Sequence, residues 1–154
     1  MSIDDDIATL EKVPMLNVLG RAALRLIAIA AETRQVETGE ILFGPNDRPD
    51  CAFVIQQGAF AIGVDPYAGT AKSMDAGPGA MLGEFALMTD AARPLSATAL
   101  EPSTVIRISR SMFMRILEDD GHAAVRLRDY IDRRATQSVA DMTRVRDLLV
   151  PPRQ

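Results

Sequence analysis

Cysteine is almost missing from the 154-residue chain, and Cys51 is the only one. A single thiol forms no intrachain disulfide, holds no iron–sulfur cluster and builds no Cys-rich zinc site. Cys51 therefore reads as a small buried apolar residue. Histidine is as scarce: His122, next to Gly121, has no second His or Cys beside it, so it reads as a surface residue and no metal is expected. A long apolar run is also lacking. The longest stretch, Leu26 to Ala31, falls far short of the ~20 residues that span a bilayer. Met1 to Asp6 is acidic where an export signal would be basic. The expectation is a cytoplasmic chain with no membrane partner.

Excess positive charge is absent too. The formal net charge is −4 and the isoelectric point is near 5.0, whereas binding to nucleic acid needs clustered Lys and Arg to neutralise phosphates. No direct nucleic-acid contact is expected. Arg126, Arg128, Arg133 and Arg134 are interleaved with Asp129 and Asp132, which reads as an ordinary solvated helix face. No motif pairs two carboxylates or sets a nucleophile beside a base. Ser96 and Thr98 alternate along a strand-like segment with no histidine base placed near them. The chain is expected not to be an enzyme.

What is present is enough for one domain: 47% apolar residues can fill one core at this length. Between Asp4 and Ala31, Ile7, Leu10, Met15, Leu19, Ala23, Leu26, Ile27 and Ala30 recur mostly at spacings of three or four, broken at Pro14. This predicts two short helices meeting at a bend. From Thr33 the pattern shortens to strand-sized segments at 34–37, 41–43, 52–57 and 60–64, separated by Thr38-Gly39, Pro45-Asn46-Asp47 and Gly58. A glycine-rich loop with a weak strand at 71–74 follows, and then clearer strands at 96–100 and 104–108. Ser109 or Ser111 can cap a helix running to Glu118. Residues 123–149 contain no Pro or Gly and predict one long helix, with Leu127, Ile131, Ala135, Ser138, Met142, Val145 and Leu149 near a heptad stripe.

The fold class is thus mainly β with flanking α: an antiparallel, jelly-roll-like β-roll with N-terminal helices and a long C-terminal helix. The expected organisation is one domain over 1–150, with helices in 1–32, the roll in 33–109, helices in 110–150 and a tail at 151–154.

Three stretches carry a resemblance. The first is Gly39-Glu40-Ile41-Leu42-Phe43-Gly44-Pro45-Asn46-Asp47 with Phe53-Val54-Ile55 and Gly58. The second is Gly77-Pro78-Gly79 leading to Gly83-Glu84-Phe85-Ala86-Leu87, and the third is Arg93 in Ala91-Ala92-Arg93-Pro94-Leu95-Ser96-Ala97-Thr98. Together with the order of elements from about Leu10 to Leu149, they resemble the cyclic nucleotide-binding domain of catabolite activator proteins, protein kinase A regulatory subunits and cyclic nucleotide-gated channels.

The resemblance implies a ligand, cAMP or cGMP, and a site. In it Glu84 accepts from the ribose 2′-OH, Gly83 lets the backbone approach the sugar, and a short helix through Phe85 and Ala86 directs N–H groups at the phosphate. Arg93 pairs with a phosphate oxygen. Ser96 belongs to the same ligand-binding set, and Thr136, Gln137 or Ser138 on the final helix reaches the base. The family's cGMP binders often carry Ser or Thr directly after the arginine, and Pro94 there favours cAMP. The chain ends where the helix-turn-helix of a catabolite-activator-type factor would begin. The reading is a regulatory receptor that signals through its C-terminal helix, with a homodimer or protein partner on that helix. The alternative is an interaction or dimerisation module that has lost its nucleotide, since Pro94 has no N–H for a phosphate and Leu95 can take the arginine's place.

Overall fold

The computed structural model describes residues 2–44, 50–63, 74–87 and 96–149; for residue 85 and residues 136–149 it describes the backbone. Three helices, not two, open the chain: α1 (Ile3–Glu11), the single turn α2 (Pro14–Asn17) and α3 (Arg21–Ala30). Pro14 takes the first helical position of α2, where a missing N–H costs nothing. Gly20, at φ +91°, lets the chain swing into α3 through a conformation other residues resist. The apolar spacing across 4–31 is one stripe made by three short pieces, which is why periodicity alone merged the last two.

Among the described residues eight strands follow: β1 (Glu32–Val36), β2 (Ile41–Phe43), β3 (Cys51–Gln57), β4 (Phe60–Gly63), β5 (Met74–Ala76), β6 (Met81–Leu82), β7 (Ser96–Ala99) and β8 (Ser103–Ser109). They form two four-stranded antiparallel sheets, ordered β1-β8-β3-β6 and β2-β7-β4-β5. This is the antiparallel roll with flanking helices that the sequence predicts. Strand β6 went unpredicted because two residues carry no periodicity. Of the expected weak strand at 71–74, only Met74 lies among the described residues, and it begins β5.

The two sheets share their inner faces but bury two cores. Along β3, Phe53 and Ile55 point between the sheets with Phe43, Phe60, Leu82, Ala97, Ala99 and Val105, and the Phe43 and Phe53 rings stack at 6.2 Å. Their neighbours Ala52 and Val54 join the helix-side core of Leu10, Leu16, Leu24, Ile27, Ile106, Ile108 and Phe113. Successive strand residues face opposite sides, so a strand covered on both reads as an unbroken apolar run. Burial of all six residues from Cys51 to Gln56 follows from this.

Of the two candidate caps, Ser109 starts α4 (Arg110–Asp119), its Oγ accepting from the Met112 N–H at 3.2 Å. The last helix, α5 (Gly121–Leu149), begins two residues earlier than predicted because Asp120 caps it, accepting from the Ala123 N–H at 3.1 Å. Among the described residues no helix is long and apolar enough to cross a membrane.

Candidate functional site

The stretch from Gly77 is built as two glycine-dependent turns in series. Ala80 N–H donates to the Gly77 carbonyl at 3.1 Å, with Pro78 and then Gly79 at φ +88° between them. Pro followed by a positive-φ glycine is the chemistry of a type II turn. The turn is stitched to β3 by Gly79 N–H to Ile55 O at 2.9 Å and Ile55 N–H to Ala80 O at 3.0 Å. It therefore delivers β6 into register, Leu82 opposite Phe53 and Met81 opposite Val54.

Strand β6 stops at Gly83, whose φ of +73° turns the chain into a 3₁₀ turn, Glu84–Leu87. Ala86 N–H donates to the Gly83 carbonyl at 2.9 Å. Ala86 and Leu87 are buried, and Leu87 is part of the helix-side core. Glu84 is exposed and makes no hydrogen bond or ion pair with any described residue. The turn thus has a buried root and a projecting carboxylate. Its own bond occupies the Ala86 N–H, which leaves those of Glu84 and Phe85 at its head.

Ser96 begins β7 opposite Gly63. It is half-buried, and its hydroxyl donates to the Gly63 carbonyl at 3.3 Å. Arg93, Pro94 and Leu95 lie outside the described residues, as does Asn46. Ser138, with Thr136 and Gln137, lies on α5, and its side chain is outside the described set. Among the expected residues the structure therefore brings Gly83, Glu84, Phe85 and Ala86 together in one turn.

Sequence reasoning overlooked two features. On the inner wall of the second sheet β7 presents small residues, Ala97 and Ala99, fully buried beside the larger Phe43 and Phe60, with Ala76 of β5 partly buried. The alternation Ser96-Ala97-Thr98-Ala99 was the available signal, polar out and small in. The other is Arg126, read as solvated, which in fact holds two backbone carbonyls of the N-terminal helices; nothing in its sequence neighbourhood signals that. Elsewhere, an open groove of about 470 Å³ between α3 and α4 is lined by Leu26, Ile29, Ala30, Met112 and Ile116 together with Ser111, Arg115 and Asp119. None of these belongs to the turn at 83–87. No group of three or more His, Cys, Asp or Glu side chains suited to a metal ion occurs among the described residues.

Residues 33–120, from the first sheet strand to the end of α4, match the model of the cyclic nucleotide-binding domain. The chain belongs to the cyclic nucleotide-binding domain family. A cyclic nucleotide-binding-like protein from Brucella abortus bv. 1 str. 9-941 is 39% identical, with a TM-score of 0.67 over 75% of this chain and 99% of that one. The cAMP-dependent protein kinase regulatory subunit of Yarrowia lipolytica is 28% identical over 104 residues, which are 68% of this chain and 27% of the relative. The chain therefore spans only about a quarter of that protein's length. The regulatory domain of Toxoplasma gondii PKA, solved with cAMP, has a TM-score of 0.70 at 17% identity, covering 88% of this chain and 50% of that one. At that identity the likeness is one of fold. In this cyclic nucleotide-binding domain, the turn at Gly83 and the strand β7 both fall within the matched span.

Proposed function

We propose that the chain is a non-catalytic receptor for a cyclic nucleotide, cAMP in preference to cGMP, formed by one domain over residues 1–150 and acting in the cytoplasm. The observation that carries this reading is the turn at Gly83, rooted by buried Ala86 and Leu87 and presenting Glu84 to solvent with no hydrogen-bond or ion-pair partner among the described residues. A carboxylate held this way is free to accept from a ribose 2′-OH. The N–H groups of Glu84 and Phe85 face the cyclic phosphate, whose charge suits the head of a helical turn.

Arg93 supplies the counter-charge, since a guanidinium offers charge and directed donors together. Ser96 keeps acceptor lone pairs while it donates to Gly63. Ser138 contacts the base from α5, and occupancy is passed on through that helix to a second copy or a protein partner. The ligand acts as a switch because it binds one helix position better than another. Calorimetry with cAMP and with cGMP tests the reading: binding heat with cAMP supports it, and silence with both at high protein concentration removes it.

The dipeptide Pro94-Leu95 after Arg93 favours a second reading, a roll that has lost its nucleotide and works as a dimerisation or interaction module. Arg93→Ala separates the two. It abolishes nucleotide binding under the first and changes neither binding nor assembly under the second.

A further inference from the structure

The root of α5 is docked on the N-terminal helices. Ala123 and Leu127 are buried in the helix-side core, and Tyr130 and Ile131 pack partly against it. Residues 132–135 are exposed, so the described packing of this helix ends after its third turn.

At that root, Arg126 reaches back across the chain. Its Nε donates to the Val18 carbonyl at 2.9 Å and its Nη2 to the Leu19 carbonyl at 2.7 Å. These carbonyls lie just past the end of α2, where helical carbonyls have no partner inside the helix and the dipole favours a cation. The next residue is Gly20, and a Cβ on it would sit 3.1 Å from Arg126 Nη2. Its bare Cα leaves room for the guanidinium, and its φ of +91° points the chain into α3. The other basic groups described on α5 behave differently. Arg128 pairs with adjacent Asp129 at 3.8 Å, and Arg134 lies over the Tyr130 ring at 5.7 Å. Among the described residues, Arg126 is the basic side chain of α5 that is bonded to another element.

We infer that Arg126 is a positioning residue that couples the C-terminal helix to the α2–α3 junction. Two donors on two successive carbonyls fix the guanidinium in direction as well as in distance, and so fix the angle at which α5 leaves the domain. The leverage is large. At 1.5 Å per residue, Leu149 lies about 35 Å beyond Arg126, so a tilt of about 10° at the root moves the tip by about 6 Å. A change in the pose of α1–α3 is thereby carried to the distal helix, and a partner on the distal helix acts back on α1–α3. As a route of signalling this rests on the receptor reading; as a mechanical link it does not.

The test attaches spin labels at two exposed positions, Asp75→Cys on β5 and Arg133→Cys on α5, with buried Cys51 left in place. The distance distribution between them is then measured without nucleotide and with cAMP. A tethered α5 gives one narrow distribution, and Arg126→Ala is expected to at least double its width. Arg126→Lys, which keeps the charge but cannot span two carbonyls, widens it less, and Gly20→Ala widens it by crowding the guanidinium. A merely structural role would lower the melting temperature without touching the width, so both are recorded. Unchanged width in Arg126→Ala and in Gly20→Ala overturns the inference. Absence of binding heat for the unlabelled protein with cAMP and cGMP defeats the receptor reading instead, and the nucleotide-free widths still decide the link.

Discussion

Gly58 and Ser103 stand so close that no side chain fits between them. A Cβ on Gly58 would fall 2.7 Å from the Ser103 Cα, and Gly58 itself sits at φ +99°. The contact closes the turn between β3 and β4 against the start of β8, and Ser103 Oγ adds to it by accepting from the Ala59 N–H at 3.3 Å and donating to the Glu101 carbonyl at 2.8 Å. Gly58→Ala combines left-handed strain with a backbone clash, which together cost about 2–4 kcal/mol. Thermal denaturation should show a drop of roughly 5–15 °C for a domain of this size. Adding Ser103→Ala recovers little, because the Cα remains in the way; full recovery by the double variant would show that only the hydroxyl excludes the methyl.

Gln56 joins the first helix to the roll. Its Nε2 donates to the Asp6 carboxylate at 2.7 Å, and both side chains are buried, while its Oε1 has no hydrogen-bond partner among the described residues. Gln56→Leu leaves a buried carboxylate without its donor, a loss of about 1–3 kcal/mol. The double variant Asp6→Leu/Gln56→Leu costs less than the sum of the single ones, since apolar groups on both sides remove the unmet desolvation along with the bond. Urea denaturation of the four proteins measures the coupling. A coupling energy of zero would mean that solvent already reaches the pair.

The elements that announced themselves in the sequence are those whose residues answer to one neighbour at a time. Residues 41–43 are a short apolar run between Gly39 and Pro45, Ser109 precedes an apolar helix, and 123–149 has no breaker, so β2, the cap of α4 and nearly all of α5 were legible. The glycine-rich stretch ending at Gly79 was legible as a loop and Gly83 as a place of close backbone approach, and of these Gly79 and Gly83 take a positive φ. What stayed hidden depends on partners distant in sequence. β6 exists because Gly79 and Ala80 bond to Ile55, and Gln56 is a buried polar residue because Asp6, fifty positions away, meets it. Arg126 looks like any surface arginine until the fold brings Val18 and Leu19 beneath it. Of the candidate site, the turn at 83–87 is a local object and was readable; the second wall at β7 required the sheet order.

The start of α1 should respond to acid. Ser2 and Asp5 form a reciprocal cap, with Asp5 N–H donating to Ser2 Oγ at 3.2 Å and Ser2 N–H donating to Asp5 Oδ2 at 3.1 Å. The Ser2 backbone N–H, then its hydroxyl, hold the Asp5 carboxyl below the usual carboxylate range. A carboxyl lowered by folding contributes stability that is fully present above its unfolded pKa and lost as pH falls through the lower folded value. The protection of amides in the first turn of α1, taken relative to their intrinsic exchange rate at each pH, should therefore fall below about pH 4, and Asp5→Asn should erase this dependence. The same acid limb in Asp5→Asn would show that the reciprocal cap is not its source.

Glu84 offers a clean separation of binding from stability. It is exposed and bonded to no described residue, so Glu84→Ala should leave the unfolding free energy within about 0.5 kcal/mol. If the carboxylate accepts from the ribose 2′-OH, its loss removes a hydrogen bond to a charged group, about 1.5–3 kcal/mol, or roughly 10- to 100-fold in affinity for cAMP. The buried neighbour should behave in the opposite sense: Leu87→Ala opens a cavity in the helix-side core and costs about 2–5 kcal/mol of stability. The decisive ligand is 2′-deoxy-cAMP, which lacks the hydroxyl. Wild type and Glu84→Ala should bind it equally weakly, because the group that distinguishes them has nothing left to grip. If calorimetry instead finds that Glu84→Ala weakens cAMP and the deoxy analogue by the same factor, the carboxylate acts through the conformation of the turn and not on the sugar.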